Sequence, residues 1–254
     1  MRIVYAIPGP MSRTSLGRQE VERRGAMLQG WASPGTAVDI RDAPRGPASI
    51  ESAYEEYLSV PESAQLVARA EDEGYDAAIL GCFGDPGLDA LREVTGRMAV
   101  VGPGEAAFHL AAMLGERFGI VTVTQGVVNP LRQLAARCGL AGKLAGVAVV
   151  DTPVLDLAED TGKTLRRMGE AGRRLVAERD ADAIVLGCMS MAFLDVTADI
   201  EADLDIPVVN PAKAALKTAE ALVGCGLRHS KRAYPRPAKL DRGTASTLAE
   251  LHLS

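Results

Sequence analysis

Two segments of the chain repeat one another, with a cysteine at the same point of each. Tyr75-Asp76-Ala77-Ala78-Ile79-Leu80-Gly81-Cys82 and Ala181-Asp182-Ala183-Ile184-Val185-Leu186-Gly187-Cys188 both run from an acidic residue through an apolar stretch to a glycine and a thiol. A second matching piece follows each: Met98-Ala99-Val100-Val101 then Glu105-Ala106-Ala107, against Ile206-Pro207-Val208-Val209 then Lys213-Ala214-Ala215. The chain is therefore expected to fold as two copies of one unit, with Cys82 and Cys188 at equivalent points. If the halves face each other across a pseudo-two-fold axis, the thiols converge on one cleft and approach a bound carbon from both sides. Such a geometry suits proton exchange with inversion.

Short apolar runs rich in Val and Ile alternate with longer helical patterns, the signature of parallel strands covered on both faces by helices. Strands are expected near residues 2–7, 37–41, 77–81, 99–101, 119–124, 147–150, 183–186 and 208–209, four per half. Helices are expected near 14–31, 63–73, 87–93, 105–114, 127–138, 161–178, 194–201 and 212–223, where Ala, Leu, Glu and Arg are frequent. The fold class is thus α/β, with two pseudo-symmetric lobes, each a roughly four-stranded parallel sheet. The first lobe is expected to hold 1–112 with a returning 216–254, the second 113–215. The stretch 42–61, opened by Pro44, Gly46 and Pro47, is expected to be a long loop near the cleft, of the kind that serves as a lid. The basic, proline-marked tail after Leu227 is expected to wrap back onto a lobe, with its last residues frayed.

Composition bounds the partners. A formal net charge of -5 argues against polyanions, and 4% aromatic residues argue against base-stacking platforms, so no nucleic acid is expected. No apolar run approaches the ~20 residues of a membrane-spanning helix. The apolar start is cut by Pro8-Gly9-Pro10 before a signal-peptide core forms, and it is expected to be a first strand. Without an export signal, the four cysteines are expected to be free thiols in the cytoplasm.

In open parallel sheets ligands bind beyond the carboxyl ends of strands, where both Cys82 and Cys188 fall. Asp85 is a candidate N-cap with Pro86 as the first helical residue, and Ser190 is a candidate cap after Cys188. Each thiol then precedes a helix N-terminus, whose amides and partial positive charge favour thiolate. A modest downward shift from ~8.5 would bring thiolate and thiol to comparable amounts at neutral pH. One thiolate then takes a proton while the thiol opposite delivers one. The amides of Phe83, Gly84, Met189 and Ser190 are candidates to hold the enolate-like oxygen, and Thr122 and Thr124 are candidates to donate hydroxyls into the cleft. A lone cysteine at a strand end is ordinarily a small buried hydrophobe; two at equivalent points of a duplication favour function. Cys138 and Cys225 lack that context and are expected to be bystanders. His109, His229 and His252 show no ligand spacing with the cysteines, so no metal site is expected. Gly102-Pro103-Gly104-Glu105 lacks the full spacing of a nucleotide-binding loop and is expected to be a tight strand-to-helix turn.

Leu80-Gly81-Cys82-Phe83-Gly84-Asp85-Pro86-Gly87-Leu88, Val101-Gly102-Pro103-Gly104-Glu105-Ala106-Ala107, Leu114-Gly115-Glu116-Arg117-Phe118, Val185-Leu186-Gly187-Cys188 and Ala221-Leu222-Val223 with Gly226-Leu227 resemble the aspartate/glutamate/hydantoin racemase superfamily, in its hydantoin racemase branch, which includes allantoin racemases. The resemblance runs from about Ser49 onward. It implies flavodoxin-like lobes, a cofactor-independent two-base mechanism carried by Cys82 and Cys188, a small-molecule substrate and a homo-oligomer. It also implies that Pro8, Gly9, Phe83, Gly84, Met189 and Ser190 lie where substrate is held. Two departures fall in that region. The family's Asn-Pro-Asn-Thr-like element is replaced by Ile7-Pro8-Gly9-Pro10-Met11-Ser12, and its Gly-Met-Ala after the second cysteine by Met189-Ser190-Met191-Ala192. The carboxylate and histidine that amino-acid racemases of the superfamily tend to use are missing, which favours a cyclic ureide such as a 5-substituted hydantoin or allantoin. The alternatives are a cis–trans isomerase or amino-acid racemase of the same superfamily, and a non-catalytic small-molecule binding protein.

Overall fold

The computed structural model describes residues 1–241. Strands β1 (Arg2–Ile7), β2 (Ala37–Asp42), β3 (Ala77–Leu80) and β4 (Ala99–Val101) form one parallel sheet in the order β2-β1-β3-β4. Strands β5 (Phe118–Thr122), β6 (Leu144–Val149), β7 (Ala183–Leu186) and β8 (Val208–Val209) form a second, in the equivalent order β6-β5-β7-β8. Every residue of β3 and β7 is buried, which explains why they read as continuous apolar runs rather than alternating ones.

The connecting helices are α1 (Gly17–Trp31), α2 (Ala53–Asp72), α3 (Leu88–Val94), α4 (Pro103–Leu114), α5 (Val128–Arg137), α6 (Thr161–Arg179), α7 (Met189–Ala192), α8 (Thr197–Leu204), α9 (Pro211–Gly224) and α10 (Ala238–Asp241). Two of them cross over. Helix α4 follows the first sheet but packs against β5, β7 and β8, whereas α9 follows the second sheet and packs against β3, β4 and α4. The lobe boundaries expected at 112/113 and 215/216 thus fall inside α4 and α9, the helices that bind the halves together. The core is continuous across them: Phe83, Phe108 and Phe118 contact ring to ring, and Tyr5 meets Phe193 edge-on at 5.9 Å. A second cluster, with Val4, Ala6, Leu66, Val67, Leu88 and Leu91, lies under α2 and α3 on the outer face of the first sheet.

One expectation about the chain's course is corrected. The loop expected over 42–61 ends at Ser52, because Ser52 caps α2 by accepting the Glu55 amide while the Glu55 carboxylate accepts the Ser52 hydroxyl and the Glu51 amide. Pro61 sits inside α2 and does not end it. The shorter loop that remains is anchored by an Arg45–Glu62 ion pair at 2.7 Å.

Residues 229–234 of the tail lie against the first sheet and α3. The β4 amide of Val100 donates to His229 Nε2 at 2.8 Å, Lys231 donates to the Arg92 carbonyl, and Tyr234 packs on His229. The expected fraying of the last residues lies outside the described ones. Among the described residues no helix is long and apolar enough to cross a membrane.

Candidate active site

Glycine is required before each cysteine by close approach. A Cβ at Gly81 would lie 2.8 Å from the Ala6 carbonyl oxygen and 2.9 Å from the Tyr5 ring; one at Gly187 would lie 2.6 Å from Ile120 and 2.9 Å from Thr122. Each glycine amide donates to a neighbouring strand at 2.7 Å, Gly81 to Ala6 and Gly187 to Val121. The two thiols therefore leave their sheets by the same local geometry.

Beyond Cys82, Asp85 adopts a left-handed backbone with φ 52° and turns its carboxylate away from the following helix. It accepts from the amides of Gly104 at 3.0 Å and Glu105 at 2.7 Å, at the start of α4. Asp85 thus caps α4 and not α3, whose N-cap is Gly87, and Pro86 lies outside the helix. The glycines of the 102–105 turn make room for that carboxylate. On the other side Cys188, not Ser190, is the N-cap residue of α7. The Ser190 hydroxyl instead accepts a 3.0 Å hydrogen bond from Arg24 of α1, a buried arginine also held by Glu20 at 2.8 Å and lying over the Phe193 ring.

One cavity opens at the carboxyl ends of β1, β3, β5 and β7 and is lined by both Cys82 and Cys188. Pro8, Gly9, Phe83, Gly84, Met189 and Ser190 line it as well. Gly9 lies so close to the Pro47 carbonyl that no side chain fits, so the loop after β2 is folded onto the exit of β1. That loop adds Pro47, Ala48, Ser49 and Ile50 to the wall.

Thr122 and Thr124 do not line the cavity. Thr122 is fully buried and donates its hydroxyl to the Gly187 carbonyl at 2.9 Å, and Val123 takes the lining position between the two threonines. Cys138 and Cys225 lie at the ends of α5 and α9, outside the lining. Most of the wall is apolar, from Ile7, Met11, Leu16, Val127, Leu131 and Val154. The charged side chains in it, Arg24 and Glu56, were not singled out by the sequence, where Arg24 falls within the expected helix near 14–31 and Glu56 within the loop expected over 42–61.

The thiols also depart from the downward shift expected of them. Burial pushes Cys82 above the ordinary thiol range, against the Gly84 amide that donates to it, and Glu56 pushes the same way. Burial raises Cys188 too, while the amides of Met191 and Ser190 and the charge of Arg24 oppose the rise and Glu51 adds to it. Desolvation among the largely apolar walls outweighs the helix-terminal amides at both sulfurs. Among the described residues no group of His, Cys, Asp and Glu is placed to hold a metal ion.

The family model for Asp/Glu/hydantoin racemases matches residues 21–219. The chain belongs to that family. It is an isomerase of the racemase class. A hydantoin racemase of Pseudomonas sp. (strain NS671) is 39% identical to this racemase over 198 residues, covering 77% of this chain and 78% of the relative. A hydantoin racemase of Paenarthrobacter aurescens is 36% identical over 207 residues, covering 81% and 86%. Among solved structures, an allantoin racemase from Klebsiella pneumoniae superposes with a TM-score of 0.83 at 31% identity, covering 93% of this chain and 94% of the other. A glutamate racemase from Francisella tularensis, at 15% identity and a TM-score of 0.62, shares the two-lobed fold.

Proposed function

We propose that this racemase inverts the ring stereocentre of a 5-substituted hydantoin or a related cyclic ureide such as allantoin, by proton exchange between Cys82 and Cys188. The observation that carries this reading is the arrival of both thiols, from equivalent strand ends of a duplicated fold, in one cavity. The names of the relatives support the substrate class.

One sulfur, as thiolate, removes the proton at the carbon between the ring carbonyl and the ring nitrogen. The thiol on the opposite face gives its proton to the same carbon, and the electron pair held meanwhile as an enolate returns to it. The amides of Gly84, Ser190 and Met191 are directed to the sulfurs and support their charged forms. The Arg24 guanidinium and the Ser190 hydroxyl are donors on the cavity wall suited to the enolate oxygen. The apolar wall suits an alkyl or aryl ring substituent.

Free thiols suit a reducing cytoplasm, and the exposed apolar Met113, Leu114 and Leu227 support self-association. The substrate reading is tested by incubating the purified protein with single-enantiomer hydantoins and allantoin and following optical rotation. Decay to zero rotation is expected for hydantoins with apolar substituents. Unchanged rotation for the whole panel would contradict the reading.

A further inference from the structure

The cavity carries opposite charges against its two sulfurs. Arg24 reaches it from α1, fixed by Glu20 at 2.8 Å and by the Ser190 hydroxyl at 3.0 Å, in the same short turn whose Ser190 and Met191 amides donate to the Cys188 sulfur. Glu56 reaches it from α2 and lies over the turn after Cys82; a Cβ at Gly84 would be 2.5 Å from its Oε1. Its carboxyl makes no hydrogen bond with the described residues, although it faces a largely apolar wall. This half-buried carboxyl is therefore not tied up by the fold, and it lies on the side of the cavity that holds Cys82.

We propose that Arg24 and Glu56 make the thiol pair unequal, so that the negative charge of the resting site sits on Cys188 and the resting proton on Cys82. The proposal rests on the two-thiol reading above and adds the direction in which the site is set. From this state the Cys188 thiolate takes the carbon's proton and becomes a thiol, and the electron pair stays on the substrate as an enolate. The carbon then takes the proton of Cys82, whose S–H bond breaks and leaves a thiolate there. The total charge is unchanged, but it has moved from the Arg24 side to the Glu56 side. The opposite enantiomer, or a proton taken up by Cys82 and one lost by Cys188 to solvent, restores the resting state.

The other ionisable groups around the pair do not erase this inequality. Cys82 also faces Asp85 from its own loop, which burial pushes up to about 7 against the α4 amides that donate to it, and which has the same sign as Glu56 when ionised. Cys188 also faces Glu51, whose carboxylate is shared with the Ser49 hydroxyl and the Val154 amide. Tyr5, from β1, faces both sulfurs and Arg24 and does not distinguish the sulfurs. Burial raises the Glu56 carboxyl above its ordinary range while the charge of Arg137, from α5, opposes the rise, and where Glu56 is ionised its charge lies on the Cys82 side.

The test needs no substrate. Iodoacetamide labelling of the full-length protein, resolved peptide by peptide by mass spectrometry across pH, reports the thiolate fraction of each cysteine separately. Cys188 is expected to be alkylated with the lower pH midpoint, at least about one unit below Cys82, a tenfold difference in thiolate. Glu56→Gln should lower the Cys82 midpoint and raise its labelling rate at pH 8 severalfold, with little change at Cys188. Arg24→Met should slow Cys188 severalfold with little change at Cys82, and Arg24→Lys should keep most of the wild-type rate. Because the Glu56 carboxyl makes no hydrogen bond with the described residues, the Glu56→Gln arm stands even if Arg24→Met fails to fold. Equal midpoints, a lower midpoint at Cys82, or substitutions that shift both thiols alike would overturn the proposal. Unequal thiols in a protein inert toward every hydantoin would uphold it and contradict the substrate reading instead.

Discussion

Arg24 on α1 donates a hydrogen bond to the hydroxyl of Ser190 across 3.0 Å, tying a helix of the first half to the turn that carries the thiol of the second. The bond is buried at both ends, so its loss leaves a guanidinium N–H without a partner in a low-dielectric site.

Ser190→Ala is therefore expected to destabilise the fold by about 1–3 kcal/mol and to reduce turnover. Urea unfolding measures the first and polarimetry the second. A variant as stable and as active as wild type would show that the contact positions nothing.

Tyr5 presents the opposite case. Its hydroxyl is fully buried and has no partner among the described residues, beneath the two thiols and Arg24, and burial holds its proton on. Tyr5→Phe is expected to leave the fold as stable or to raise its stability by about 1 kcal/mol. Thermal unfolding of the variant checks this; a loss of stability would show that the hydroxyl is satisfied in solution.

His229 accepts the Val100 amide and is held at about 4, because burial and the charge of Arg92 disfavour its protonated form. A pKa lowered in the folded state means that the unfolded chain takes up the proton first. The contribution is complete above about 6.5 and is lost as pH falls toward 4. His229→Gln should abolish that loss, so the stability difference between wild type and variant is expected to shrink over this window. A difference constant with pH would contradict the account of the tail.

Cys138→Ala and Cys225→Ala are each expected to retain near-normal turnover, since neither thiol lines the cavity. Substrate should protect Cys82 and Cys188 from alkylation. Protection mapped to Cys138 would move the site.

The two four-stranded sheets and the meeting of Cys82 with Cys188 were legible because both follow from a repeat, and β3 and β7 carry nearly the same residues into the same surroundings. What the sequence hid depends on contacts between distant segments. Asp85 resembles a cap for the helix that follows it, yet its left-handed backbone sends the carboxylate to α4. The α2 start was obscured by the prolines before and within it, although Ser52-Ala53-Tyr54-Glu55 is a capping signature; Glu56 was missed with it. Thr122 sits on a strand one residue out of register with the cavity, which Val123 faces. The direction of the thiol shifts was lost because amides at a helix start are visible in sequence and the depth of burial is not.

Hydrogen–deuterium exchange at the substrate's ring carbon tests the division of labour between the two sulfurs most directly. In deuterated buffer, Cys82→Ser and Cys188→Ser are both expected to abolish racemisation, because a serine hydroxyl is too weak an acid to supply the resting base. Each is expected to exchange the ring proton of one enantiomer only, with the surviving thiolate returning solvent deuterium to the same face, and the enantiomer should differ between the two variants. Exchange of the same enantiomer by both, or racemisation at the wild-type rate by either, would contradict the two-thiol account.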